Sequence, residues 1–70
     1  MTTLSKEDKT SIINQHKRNL EYSKYNIQLS IIEENSLTSP STSIINGFNA
    51  QIAEFDSKLA ALDQELASLE

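Results

Sequence analysis

The chain has no cysteine, no tryptophan, one glycine and one proline among 70 residues. Without cysteine there is no disulfide, no thiol chemistry and no thiolate-ligated zinc, so so small a domain must be held by packing. Long apolar runs are also missing. The longest, Leu59 to Leu62 (LAAL), falls far short of a membrane span, and the polar segment Met1 to Thr10 contains no apolar signal-peptide core. These features lead to the expectation of a soluble cytoplasmic protein.

Positive charge is scarce in the second half. Residues 1 to 39 balance Lys6, Lys9, Lys17, Arg18 and Lys24 against Glu7, Asp8, Glu21, Glu33 and Glu34, whereas residues 40 to 70 set Lys58 against Glu54, Asp56, Asp63, Glu65 and Glu70. The whole excess of −4 therefore lies in the second half. This disfavours nucleic acid or an anionic membrane as the main partner.

What is present is helical periodicity. Ser5 is positioned to cap a helix whose first turn carries Glu7 and Asp8, where the helix dipole favours negative charge. No glycine or proline follows until Pro40 and no period-two alternation persists over a strand length, so the spacing predicts one helix over about residues 6–35. Asn35 is expected to mark its end, since asparagine tolerates the left-handed conformation common beyond helix termini. Residues 36–39 form the turn, and Ser39-Pro40 reads as an N-cap followed by proline at the first helical position, which predicts a second helix over about 40–69. Asn46-Gly47 is a turn-type dipeptide, but Ile45 and Phe48 on either side continue the helical period, so the helix is expected to run through it.

The strongest signal lies in the second helix. Ile45, Phe48, Ile52, Phe55, Leu59, Leu62, Leu66 and Leu69 alternate spacings of three and four without a break, the a and d positions of a coiled-coil heptad. Ala53, Ala60 and Ala67 recur every seven residues on the flank and either admit a close second neighbour or simply favour helix. On the first helix, Ile13, Leu20, Ile27 and Ile31 form a stripe flanked by His16 and Lys24. Folding about residue 37 is expected to bring Ile31 near Ile45, Ile27 near Phe48, Leu20 near Phe55 and Ile13 near Leu62, with Lys17, Arg18 and Lys24 beside the acidic stretch 54–63. Pairing of two copies through the second helix in parallel is the alternative arrangement, which the charge pattern does not select.

A second apolar group, Tyr22, Tyr25, Leu29 and Ile32, lies roughly opposite that stripe. One partner helix cannot cover both sides. The fold class expected is all-α: an antiparallel two-helix, coiled-coil-like hairpin over residues 1–70 that self-associates through this second face, most simply as a dimer forming a four-helix bundle.

Catalytic and metal sites find little support. His16 is the only histidine and Ile13 stands three residues before it, so the Glu-x-x-His pattern of di-metal bundles is absent; a seam-edge histidine is the simpler reading. Glu33 and Glu34 are adjacent and point about 100° apart on a helix, a solvated face and not a carboxylate dyad. There is no calcium loop, phosphate cradle or nucleophile triad. No cofactor or metal is expected. His16, Lys17 and Arg18 with Tyr22 and Tyr25 suggest a nucleic-acid face too short to set against the overall acidity. Residues 36–43 are rich in hydroxyls that capping and turn formation account for.

Three stretches, Met1 to Lys9 (MTTLSKEDK), Asn19 to Asn26 (NLEYSKYN) and Ala60 to Ala67 (AALDQELA), give the chain its character. In these it resembles the small uncharacterised helical proteins of marine bacteriophages, cyanophages in particular. The resemblance implies expression in a bacterial host cytoplasm and carries no activity or site residue with it. The function expected is that of a non-enzymatic structural or protein-interaction module. A small regulator that binds a host enzyme through Tyr22, Tyr25, Leu29 and Ile32 is the alternative.

Overall fold

A computed structural model describes residues 3–69. Two helices, α1 (Lys6–Asn35) and α2 (Thr42–Ser68), fold back on each other as a hairpin, and there is no strand among the described residues. The molecule is a rod of 58 × 18 × 15 Å with a radius of gyration of 16.6 Å. A compact domain of this length has a radius of about 11 Å.

The helix ends follow from local chemistry. Ser5 Oγ accepts the Asp8 N–H at 3.0 Å, and the Asp8 carboxylate accepts the Ser5 N–H in return, a reciprocal box that fixes the start of α1 at Lys6. At the other end the chain does not turn left-handed at or after Asn35, contrary to the sequence expectation. No described residue has positive φ; Ser36 stays right-handed and the last turn tightens, with Ser36 N–H donating to Glu33 O at 3.2 Å and Leu37 N–H to Glu34 O at 3.2 Å.

The start of α2 also differs from expectation. Ser41, not Ser39, is the N-cap, its Oγ accepting the Ile44 N–H at 3.3 Å, and Pro40 precedes the cap. The Ser41 N–H donates to the Glu34 carboxylate at 2.9 Å, so the end of α1 holds the start of α2. Glu34 is half-buried in this latch and is not part of the solvated face expected for it, while Glu33 is exposed.

The later start of α2 moves the register. Lys17 Nζ meets Asp63 at 2.5 Å and Lys24 Nζ meets Asp56 at 2.6 Å. Both pairs fold about residue 40, and this register sets Ile13 level with Leu66, Leu20 with Leu59, Ile27 with Ile52 and Ile31 with Phe48. The pairings expected from a fold about residue 37 (Ile31 with Ile45, Ile27 with Phe48, Leu20 with Phe55, Ile13 with Leu62) are thus displaced by about one helical turn. Arg18 joins neither ion pair and lies over the Tyr22 ring at 4.9 Å.

All eight heptad positions from Ile45 to Leu69 are half-buried. On α1 the half-buried positions are Thr10, Ile13, Lys17, Leu20, Lys24, Ile27, Ile31 and Glu34, with Ser30 beside them. These eight also alternate by three and four, so both helices carry a heptad seam. His16, expected at its edge, is exposed.

α2 runs unbroken through Asn46-Gly47. A Cβ built on Gly47 meets nothing within 4 Å, and its φ is not positive. Glycine there costs helix stability with no packing or conformational return, so Gly47→Ala is expected to stabilise the hairpin by about 1 kcal/mol. Thermal melting followed by circular dichroism should rise by about 4–8 °C. An unchanged or lower midpoint contradicts a helical, solvent-facing Gly47.

Candidate functional site

The hairpin leaves unusual amounts of surface exposed. No described residue is fully buried, and the accessible surface of 5324 Å² exceeds the roughly 4,400 Å² of a compact monomer of this mass. Half-burial of the seam is all that one helix can provide for another when neither is covered on its remaining sides.

Tyr22, Tyr25, Leu29 and Ile32 occupy the outer face of α1. In the heptad frame of its seam, Tyr22 and Leu29 are at f and Tyr25 and Ile32 at b, positions that point away from α2. They are 58%, 59%, 37% and 63% exposed. At about 100° per residue, this group is centred about 140° around α1 from the seam. The structure brings all four onto one face and covers none of them.

The surroundings of this group are specific. Arg18, Glu21, Tyr22 and Tyr25 line a shallow depression of about 200 Å³ on the outer surface. The Arg18 guanidinium, stacked over Tyr22, is the one charge near the midline of the face. Glu21 and Glu33 lie about 60° to either side of it.

Other apolar side chains missed by the periodic reading are also exposed: Leu4 and Ile12 near one end of the rod, Leu37 and Ile44 near the turn. Leu4 and Ile12 share a depression with Ile13 and Leu69. Leu37 and Ile44 fall outside both seams, so their exposure is legible only once the turn is placed. Ala53, Ala60 and Ala67 are exposed as well.

Between the helices an open groove of about 440 Å³ is lined by His16, Leu20, Lys58 and Leu62, among others. Lys58 Nζ lies over the Phe55 ring at 5.9 Å. Among the described residues no group of three or more His, Asp or Glu side chains is placed to hold a metal ion. No helix of the described residues is long and apolar enough to cross a membrane.

Comparison with known protein families, with curated proteins and with solved structures gives no match.

Proposed function

We propose that the chain is a non-enzymatic structural or protein-interaction module that self-associates through the outer face of α1, as a dimer of hairpins that brings four helices together. The observation that carries this reading is the exposure of Tyr22, Tyr25, Leu29 and Ile32 on one face of a helix whose opposite side is already occupied. Two tyrosines with two aliphatic residues are the composition of an interface core, in which aromatic side chains are enriched. The absence of any fully buried residue among the described residues of the single hairpin supports it further, because covering this face adds burial that the intramolecular seam does not supply.

Sedimentation equilibrium over a wide concentration range tests the proposal. The expected result is a mass twice the 7.8 kDa of the chain at the upper concentrations, returning to the monomer when Tyr22 and Ile32 are both replaced by serine. A monomer throughout overturns homotypic association. The same four residues would then be the contact for a different protein, as in a small regulator, since an uncovered patch of this kind marks a protein-binding surface.

A further inference from the structure

Resting on the reading that the outer face of α1 is homotypic, we infer that two copies pair α1 against α1 antiparallel about a two-fold axis level with Ile27, Ile32 of each entering the depression on the other. The shape of that depression carries the inference. Its lining residues, Arg18, Glu21, Tyr22 and Tyr25, stand at i, i+3, i+4 and i+7, which is the four-cornered hole that receives one knob from a facing helix. Ile32 is the most exposed apolar residue of the face, at 63%.

Seating the partner's Ile32 in this hole fixes everything else. The hole is centred between residues 21 and 22, so the axis falls midway between that level and residue 32, close to Ile27. Tyr22 then stands level with the partner's Ile32, and Tyr25 with the partner's Leu29. The operation returns the same pairs in reverse, as an isologous interface requires.

Charge agrees with this direction and not with the parallel one. The residue after the inserted Ile32 is Glu33, which comes within about 4.5 Å along the axis of Arg18 on the other copy, a distance both side chains can bridge. Antiparallel pairing sets like flank against like flank, so Glu21 and Glu33, on opposite flanks, do not confront each other. A parallel pairing would oppose the two Arg18 guanidinium groups on the midline. The four helices then lie in the order α2, α1, α1, α2, with the two copies of α1 innermost.

The test is a charge exchange on the dimer, with helicity by circular dichroism confirming that each variant keeps the exposed-face hairpin. Arg18→Glu and Glu33→Arg are each expected to weaken dimerisation by about tenfold or more, because symmetry makes every loss occur twice. The double variant carrying both is expected to recover most of the wild-type dimerisation constant. A wild-type chain that dimerises and is dissociated by the serine pair at Tyr22 and Ile32, yet shows no recovery in the double variant, overturns the antiparallel arrangement while leaving homotypic association intact. A wild-type chain that stays monomeric overturns both.

Discussion

Replacing Phe55 and Leu62 together with glutamine is expected to remove a large share of the hairpin's stability. Both side chains are half-buried in the α2 seam, and full burial of a phenylalanine or leucine is worth about 1.5–3 kcal/mol, so losing two partly buried ones removes roughly 2–4 kcal/mol. A chain of this size has a total stability of about 3–10 kcal/mol, so the loss takes a large share of what there is. The melting midpoint should fall by about 10–30 °C, with a matching loss of helical circular dichroism at 25 °C. Ala60→Gln serves as the comparison: this residue is exposed on the same helix, and its substitution should stay within about 0.5 kcal/mol of the parent. If the double variant melts like Ala60→Gln, the seam is not what holds the helices together.

The α2 seam was readable from sequence because every position in it is apolar, so a count of apolar spacing finds the whole stripe. On α1 the same count finds Ile13, Leu20, Ile27 and Ile31 but passes over Thr10, Lys17, Lys24 and Glu34, which alternate with them in the same heptad. A lysine contributes to a seam through its methylene stem while its ammonium reaches out to a carboxylate, and hydropathy scores only the ammonium. The register was lost for a related reason. It depends on where α2 begins, and that in turn involves the contact between the Glu34 carboxylate and the Ser41 N–H, seven residues apart, which neither propensity nor capping preference encodes. Ser39-Pro40 satisfied the local rules for a helix start as well as Ser41 did, and the tertiary contact separates them. The outer face of α1 was legible as a group because Tyr22, Tyr25, Leu29 and Ile32 keep helical spacing; the depression beside them includes Arg18 and Glu21, whose charges hide them from any apolar pattern.

The two seam lysines lead to the second large effect, which concerns specificity more than stability. Their side chains are 25% and 29% exposed while the paired Asp63 and Asp56 are 59% and 52% exposed, so the lysine stems lie in the seam and the carboxylates meet them from the solvent side. Ion pairs so open to water contribute about 0–1 kcal/mol each, too little to explain two lysines among the eight heptad positions of α1 as a device for stability. A polar residue at a coiled-coil a position instead selects register and association state at some cost in stability. Here Lys17 meets Asp63 and Lys24 meets Asp56 in the observed register, and a shift along the seam breaks both pairs. Changing both to leucine is therefore expected to raise the melting midpoint by about 5–10 °C, since a leucine gains more in a half-buried seam than the exposed pair loses. The same change should broaden the mass distribution into trimers and tetramers, because two continuous apolar seams no longer distinguish the intramolecular partner from α2 of another chain. Asp56 and Asp63 keep their hydration and add no compensating penalty. Sedimentation velocity on the double leucine variant decides the matter: a more stable chain with mixed assemblies supports the lysines as selectors of register, and a less stable chain with the parent's single species shows that the ion pairs themselves hold the hairpin.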